Sequence, residues 1–297
     1  MIHHPRRLLV YCLTAIVPAV GMLAATAATA SAHVTTAATQ TSAPAQADSA
    51  QAAALAKAAI QKLAIGQHPL NQPTGVSSQP GGPNGLTDVH STNWSGYADT
   101  GSSFSKVSAS WTEPSATCSG SATQLAAFWV GIDGYTSSSV EQDGTLIECY
   151  AGTAYQYTWW EMYPTNSVQV VGETLAAGDA ITSTVTRSGT TYQLTVTDST
   201  HTADSFTRSE TCSSCANTSA EWIAEAPSGS SGVYPLADFR SWTASNASVT
   251  EGSTSGVISS FTDDQITMAD TSGNTEALPG SLNSSGNGFS VTWERSS

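Results

Sequence analysis

The chain has 297 residues, and its 9 lysines and arginines against 23 aspartates and glutamates give a formal net charge of −14. A surface this acidic repels phosphate backbones, which argues against nucleic acid as a partner. In acid, where carboxylates are protonated, few cations remain to repel one another, so the composition suits an acidic medium as well as simple solubility.

The first 32 residues are predicted to form a signal peptide. Arg6 and Arg7 precede an apolar run that begins at Leu8, and Ala30-Ser31-Ala32 matches a small-x-small cleavage signal. No later stretch approaches the roughly 20 apolar residues that a membrane-spanning helix needs. We therefore expect a secreted protein that has no membrane association after signal cleavage.

Residues 33–91 are predicted to be a propeptide, or alternatively a disordered spacer. Residues 33–50 are rich in Ala, Thr, Ser and Gln, a low-complexity composition that is typical of disorder. Residues 49–65 are rich in alanine and predict one short helix, with a stripe that includes Leu55. Prolines and glycines are frequent in residues 69–87, which predicts a linker.

Residues 92–297 have the pattern of an all-β domain. Apolar residues alternate with polar ones in several segments, and Ser188-Gly189 predicts a hairpin turn between two of them. Turn-forming residues recur throughout, and no helical period is sustained. About 205 residues of this kind predict one β-sandwich or barrel whose antiparallel sheets are exposed to solvent on one face.

The cysteines fit an oxidising compartment. Cys12 leaves with the signal peptide, and an even number, Cys118, Cys149, Cys212 and Cys215, remains. Two disulfides are therefore expected. Three pairings are possible, and we favour Cys118–Cys149 with Cys212–Cys215.

The histidines exclude several mechanisms. Of six, only His201 lies well inside the domain, in a polar, turn-like stretch, and His90 lies at its edge. A Ser–His–Asp or Cys–His site needs an imidazole beside the nucleophile, and a catalytic zinc site commonly uses two or three histidines. We therefore expect no metal, no cofactor and no nucleophile that depends on imidazole.

Two predicted strands carry carboxylates among apolar side chains. On the first, the period of two places five side chains on one face: Tyr155, Tyr157, Trp159, Glu161 and Tyr163. On the second, it places Glu221, Ile223 and Glu225 on one face and Trp222 on the other. A buried acid needs partners or has a raised pKa, so a glutamate in such a strand is either solvated or functional.

The domain also contains six short motifs in a fixed order. They are Asn93-Trp94-Ser95-Gly96, Trp129-Val130-Gly131-Ile132-Asp133-Gly134, Gln142-Asp143-Gly144, Trp160-Glu161-Met162-Tyr163-Pro164, Ala220-Glu221-Trp222-Ile223 and Leu236-Ala237-Asp238-Phe239. Any one of them is a weak signal. Together, over residues 92–297, they resemble the glutamic peptidase (eqolisin) family of acid endopeptidases.

The resemblance implies a fold and a catalytic pair. The fold would be a sandwich of two curved antiparallel sheets, similar to the concanavalin-like lectins, with the pair on the concave face. The family's catalytic Gln and Glu fall on Gln142 and Glu221. A carboxylate can accept a proton from water, and an amide can donate a hydrogen bond to an oxyanion, so the pair suits peptide hydrolysis.

The same motifs supply the other candidate residues for substrate binding or support of the pair: Trp129, Asp133, Gly134, Glu161 and Tyr163. We expect polypeptide substrates and a monomer. The sequence departs from the family at Glu141, where an apolar residue is usual, at Asp143, where threonine is usual, and at Met162, where an aromatic residue is common. These differences bear on the pH optimum or subsite preference and leave both members of the pair in place.

Two other functions stay open at this point. One is a non-catalytic, sugar-binding sandwich that uses Tyr155, Tyr157 and Trp159. The other is a glycoside hydrolase with Glu161 and Glu221 as its two carboxylates, which would have to lie about 5 Å apart in a retaining enzyme or about 6.5–9.5 Å apart in an inverting one.

Overall fold

The computed structural model describes residues 43–60, 79–80, 87–229 and 232–296, so the predicted signal peptide lies outside the described residues. The helix is α1 (Ala43–Ile60), and the strands are β1 (Gln79–Pro80), β2 (Thr87–Ser91), β3 (Trp94–Thr100), β4 (Phe104–Thr112), β5 (Gln124–Ile132), β6 (Val140–Tyr150), β7 (Thr153–Tyr163), β8 (Asn166–Gly172), β9 (Ala180–Ser188), β10 (Thr191–Asp198), β11 (Phe206–Thr211), β12 (Ser219–Glu225), β13 (Ser228–Gly229), β14 (Gly232–Val233), β15 (Ser241–Glu251), β16 (Thr254–Gly256), β17 (Thr262–Ala269), β18 (Thr275–Pro279) and β19 (Phe289–Trp293). Two single 3₁₀ turns, Thr202–Asp204 and Ile258–Ser260, complete the secondary structure of the described residues.

The strands form two layers. The front sheet contains, in order, β8, β7, β6, β5, β12, β3, β17 and β2, and it is antiparallel except where β2 runs parallel to β17. The back sheet contains β11, β10, β9, β4, the second half of β15, and β16. The first half of β15 pairs with β19 beside the front sheet, so this strand passes from one layer to the other. The predicted β-sandwich is confirmed.

The sandwich core lies between the two sheets. Along each strand of the front sheet, alternate side chains point into this core or to the opposite face. On β12, Trp222 points into this core, together with Ala220 and Ala224, which lie two positions before and after it. Glu221 and Ile223 lie on the opposite side of the front sheet, which we call the site face, where a second apolar cluster surrounds Trp129 and Trp159. The face assignments predicted from the period of two are confirmed.

The N-terminal part differs from the sequence-based expectation. Helix α1 begins at Ala43, so the predicted disorder is wrong for residues 43–50, where the high alanine content favours a helix. Residues 61–65, the predicted end of that helix, lie outside the described residues. Strand β2 pairs with β17, so the front sheet begins before the predicted domain boundary at residue 92. Among the described residues, no helix is long and apolar enough to cross a bilayer.

The predicted hairpin and the cysteine pairs are present. Strands β9 and β10 pair directly across the turn at Ser188-Gly189. Disulfides join Cys118 to Cys149 and Cys212 to Cys215, the pairing that the sequence favoured. The first disulfide ties the segment before β5 to the end of β6, two neighbouring strands of the front sheet.

Candidate active site

A row of side chains runs across the site face perpendicular to the strands. The strand registers align Glu161 of β7 with Gln142 of β6, Gln142 with Gly131 of β5, and Gly131 with Glu221 of β12. Neighbouring strands lie about 4.8 Å apart, so the backbones of Gln142 and Glu221 are about 10 Å apart with Gly131 between them. The structure therefore brings both predicted dyad residues onto one face and separates them by a residue without a side chain.

Gly131 is required by the space around it. A Cβ atom at this position would lie 2.9 Å from the Trp129 ring and 3.3 Å from Cβ of Gln142. Real Cβ contacts are essentially never below 3.0 Å, so an alanine here would require the Trp129 ring to shift, and its contact with Gln142 would also be tight. Gly131 therefore places no side chain between Gln142 and Glu221 in the row.

Gln142 is oriented by Glu161. Its Nε2 donates a hydrogen bond of 2.8 Å to Oε2 of Glu161, and both residues are buried. Burial raises the pKa of Glu161, the Gln142 amide opposes that rise, and Glu225 adds to it. Because one Nε2 proton is directed at Glu161, the amide plane is fixed and the second proton points to a defined place.

Glu221 is fully buried in the described structure, and neither carboxylate oxygen makes a hydrogen bond of ordinary geometry there. Burial raises the pKa of Glu221 well above its usual value, and the nearby Asp133 and Glu141 contribute to the rise. The Ser219 hydroxyl and the Tyr135 backbone N–H act against it. Glu221 is therefore a buried carboxyl that favours its protonated form and has two polar groups, the Ser219 hydroxyl and the Tyr135 N–H, close to it.

Asp133 holds the loop between β5 and β6. Its two carboxylate oxygens accept hydrogen bonds from the backbone N–H groups of Asn217 (2.7 Å) and Thr218 (2.9 Å), just before β12. Asp133 has φ of 70° and Gly134 has φ of 107°, and this left-handed stretch turns the chain out of β5. Asp133 and Gly134 thus support the site through the loop that carries Tyr135.

Trp129 is linked to a second glutamate of β12. Its indole Nε1 donates a 2.9 Å hydrogen bond to Oε2 of Glu225, and Asn93 donates one of 3.2 Å to Oε1. Trp94 packs edge-on against Trp129, with ring centroids 5.0 Å apart. This buried network fixes the apolar wall next to the row.

The remaining residues of β7 bear on the sugar-binding alternative. Tyr163 is partly buried at the end of the strand, and a cis peptide bond joins it to Pro164. Tyr157 and Trp159 are almost completely buried within the site-face cluster. Buried rings provide no open platform for a sugar, which argues against a lectin-like site here.

Glu141 and Asp143 have their side chains on the other side of β6, in the sandwich core. Burial raises the pKa of both carboxyls, to about 10 for Glu141. The Ser183 hydroxyl donates a hydrogen bond to the Asp143 carboxylate. The two departures from the family that flank Gln142 are therefore core residues, and neither reaches the site face.

Two groups in the described residues have metal-ligand spacing. One is Glu141 with Cys212 and Cys215, but these two cysteines form a disulfide and offer no thiolate. The other is Asp179, Asp198 and His201, where His201 Nδ1 lies 2.8 Å from Oδ2 of Asp179. This histidine pairs with a carboxylate next to the back sheet, and no described contact joins it to the row.

The comparisons with known proteins agree with this geometry. The model of the peptidase A4 family matches residues 92–293. The chain belongs to this family. Over 196 residues it is 30% identical to aspergillopepsin-2 of Aspergillus niger. That alignment covers 57% of this chain and 68% of the relative. The chain is 34% identical over 137 residues to scytalidopepsin B of Scytalidium lignicola, covering 45% of the chain and 51% of the relative.

Solved structures of glutamic peptidases have the same fold. A structure of scytalido-glutamic peptidase with a peptide-based transition-state analogue gives a TM-score of 0.58 at 27% identity, over 68% of this chain and 98% of that one. The structure of aspergilloglutamic peptidase from Aspergillus niger gives a TM-score of 0.50 at 29% identity, over 58% of this chain and 99% of that one. The chain is therefore a glutamic peptidase, and the family resemblance read from the motifs is confirmed.

Sequence reasoning missed several residues that the structure adds to the site. Tyr135 and Ser219 lie beside Glu221, and Asn93 binds Glu225. The period of two puts Ser219 on the face of Glu221, as it does Glu225, so Ser219 could have been found from the sequence. Asp264 of β17, which accepts a hydrogen bond from the Tyr135 hydroxyl, could not be found in this way. Its position beside the row depends on the pairing of β3 with β17, two strands that are far apart in the chain.

Proposed function

We propose that this glutamic peptidase is a secreted, monomeric endopeptidase that hydrolyses polypeptides with Gln142 and Glu221 and uses neither metal nor cofactor. The observation that supports this most directly is the row in which Gly131 separates the two side chains on a buried face. The backbones of Glu161 and Glu221 are three strand spacings, about 14 Å, apart, so these two carboxylates are poorly placed to act as a glycosidase pair.

The reaction divides between the two side chains. Ionised Glu221 accepts a proton from water while the water oxygen bonds to the peptide carbonyl carbon. The carbonyl oxygen becomes an oxyanion, which accepts a hydrogen bond from the Nε2 proton of Gln142 that is not directed at Glu161. Glu221 then gives its proton to the amide nitrogen, the C–N bond breaks, and a carboxyl group and an amine leave.

Removing the amide should slow the chemical step. Gln142→Ala is expected to lower kcat on a denatured protein substrate by about 10²-fold or more, because the oxyanion loses its donor. Gln193→Ala is the matched control, since Gln193 is exposed on the back sheet. A Gln142→Ala enzyme with kcat within about threefold of the control would contradict the assignment, as would inhibition of the wild type by a metal chelator.

We further propose that the segment before β2 is a propeptide. Lys57 of α1 forms an ion pair with Glu173, which follows β8, and Ala56 beside it is fully buried. The charge of Glu173 also acts on Tyr157 of the site face. Leu55, a residue of the predicted apolar stripe, is instead 53% exposed. As pH falls and the domain loses negative charge, the attraction between Lys57 and the domain weakens and the helix is held less tightly.

The propeptide proposal predicts a pH-dependent maturation. N-terminal sequencing of protein held in acid is expected to give a new terminus between residues 61 and 86, because β2 belongs to the front sheet. Lys57→Glu should speed this conversion near neutral pH, whereas Lys106→Glu, a change on the back sheet, should not. An active, acid-stable form that retains residues 43–60 would rule the proposal out.

A further inference from the structure

The disulfide between Cys212 and Cys215 takes no part in the proposed hydrolysis. Its two cysteines are only three positions apart in the chain, whereas Cys118 and Cys149 are 31 positions apart. A disulfide stabilises a fold mainly by restricting the unfolded chain, and it does so less when the loop that it closes is short. Stability therefore explains the Cys118–Cys149 bond better than the Cys212–Cys215 bond.

The loop between β11 and β12 presents the Cys212–Cys215 disulfide to the solvent. Both cysteines are partly exposed where they pack against the sandwich core, and Ser213 and Ser214 between them are exposed. In the other disulfide, Cys149 is only 2% exposed. Exchange with an external thiol requires access to a sulfur atom, so the loop is the more favourable of the two places for it.

A buried carboxyl lies beside the sulfur atoms of this loop. A carboxylate oxygen of Glu141 and the Sγ atoms of Cys212 and Cys215 all lie within 4.8 Å of one another. Glu141 is fully buried, and neither of its oxygens makes a hydrogen bond of ordinary geometry in the described structure. No acidic side chain among the described residues forms such a group with Cys118 and Cys149.

The surroundings of Glu141 keep it protonated at neutral pH. Burial raises the pKa of this carboxyl to about 10, and the nearby Asp133 adds to the rise. Arg187 and the Ser139 hydroxyl act against it. The charge of Glu141 also acts on Tyr192, on β10. Glu141 therefore carries a proton that it can give to a thiolate formed beside it.

Backbone hydrogen bonds hold the two cysteines independently of the bond between their sulfur atoms. The N–H of Cys212 donates a 2.9 Å hydrogen bond to the carbonyl oxygen of Thr190. Nδ2 of Asn217 donates one of 2.8 Å to the carbonyl oxygen of Cys215, and the N–H of Asn217 donates to Asp133. Because none of these bonds involves sulfur, opening the disulfide leaves the loop anchored and the two thiols close enough to join again.

We propose that Cys212–Cys215 is a redox-active disulfide, which exchanges reversibly with low-molecular-weight thiols, and that Glu141 is its proton donor. The proposal goes beyond peptide hydrolysis and does not depend on it, because Glu141 lies on the opposite side of β6 from Gln142. It gives a role to a buried acid and to a short-loop disulfide that hydrolysis leaves without one.

The exchange consists of two displacements. The thiolate of an external thiol attacks the sulfur of one cysteine, a mixed disulfide forms, and the Cys212–Cys215 bond breaks. The departing sulfur takes the proton of Glu141, which is replaced from solvent. A second external thiolate attacks the external sulfur of the mixed disulfide, and the first cysteine leaves and is protonated. Two external thiols thus lose two electrons and form one disulfide, and the two cysteines gain those electrons.

The test compares the two disulfides of the same folded enzyme. The enzyme is incubated at pH 7 with cysteamine, free thiols are trapped with N-ethylmaleimide, and the labelled cysteines are identified by mass spectrometry. Cys212 and Cys215 are expected to be reduced at least about tenfold faster than Cys118 and Cys149, while circular dichroism shows a folded chain. Cystamine, the disulfide of cysteamine, should restore the Cys212–Cys215 bond.

Replacing the proton donor should slow this reduction. Glu141→Gln is expected to lower its rate by about tenfold, because glutamine has nearly the same shape but no carboxyl proton to give. Asp143→Asn is the matched control, since Asp143 is also a buried carboxyl with a raised pKa on the same side of β6, but it is hydrogen-bonded to Ser183. It should leave the rate within about twofold of the wild type.

The other disulfide separates proton donation from a structural role of Glu141. A variant that only loosens the fold would speed the reduction of both disulfides, whereas loss of the proton donor slows that of Cys212–Cys215 alone. If Glu141→Gln does not fold, Glu141→Met is the second variant. Methionine has a similar volume and no charge to bury, and it should give the same loss.

Three results would overturn the inference: equal rates of reduction for the two disulfides of the wild type, reduction of Cys212–Cys215 only when the chain unfolds, or the same rate in Glu141→Gln as in Asp143→Asn. Failure of the proposed function would change none of these measurements, because none of them uses peptide cleavage.

Discussion

Replacing Glu221 with glutamine is expected to reduce peptide hydrolysis by about 10³-fold or more while the fold is retained. Glutamine has nearly the same shape as glutamate but does not accept a proton from water at the pH of the reaction. The buried site already surrounds a group whose pKa is raised and which is neutral over much of the acid range, so a neutral amide fits without an electrostatic penalty. The measurement is kcat/KM on a peptide, with thermal unfolding as the test of folding.

Glu276→Gln is the matched control, because Glu276 is also buried with a raised pKa but lies on β18, away from the row. It should leave kcat/KM unchanged. A kcat/KM of Glu221→Gln within about tenfold of that of Glu276→Gln would contradict the assignment of Gln142 and Glu221 as the catalytic pair.

The local patterns of the sequence were sufficient to predict which side chains share a face. On β12 the alternation of Glu221 and Trp222 determines which one enters the sandwich core, since successive side chains of a strand point to opposite sides. The same rule holds for Trp159 and Trp160 on β7. Which side chains of these strands line the site face was therefore predictable from the sequence.

The order of the strands was not predictable from those patterns. Gln142 and Glu221 are neighbours because β5 pairs with both β6 and β12, although β12 is almost 90 residues further along the chain. The inclusion of Asp264 depends in turn on β3 lying between β12 and β17. Such pairings are set by the packing of whole sheets, so only the family resemblance pointed to the pair.

The sandwich core contains carboxyl groups that give the protein an unusual dependence on pH. Burial raises the pKa of Glu113 to about 8, of Asp99 to about 9 and of Glu141 to about 10, and it raises the pKa of Asp143 as well. None of these four forms an ion pair with a described lysine or arginine. Each is therefore accommodated in its neutral, protonated form.

The direction of the effect follows from proton binding. These groups hold their protons more tightly in the folded protein than in the unfolded chain, where their pKa is near 4. Below about pH 4 the four buried carboxyls make their full contribution to the free energy of unfolding. This contribution is lost progressively as pH rises towards their pKa values in the folded protein. Asp179 and Asp270 act in the opposite sense, because their pKa values are lowered and their contribution is lost in stronger acid. Maximum stability is thus expected near pH 4, about where the two sets balance.

Neutralising one core carboxyl should therefore stabilise the protein only when the pH is high. At pH 7 a group that ionises near 4.5 in the unfolded chain but stays protonated in the fold costs about 3 kcal/mol, a large part of the stability of an ordinary domain. Glu113→Gln and Asp143→Asn should each raise Tm at pH 7, by up to about 10 °C, and change it little at pH 4. Glu294→Gln removes one exposed charge and should give similar Tm shifts at both pH values. If the wild-type Tm does not fall between pH 4 and pH 7, or if the core variants gain as much at pH 4 as at pH 7, the core carboxyls do not control the pH dependence of folding.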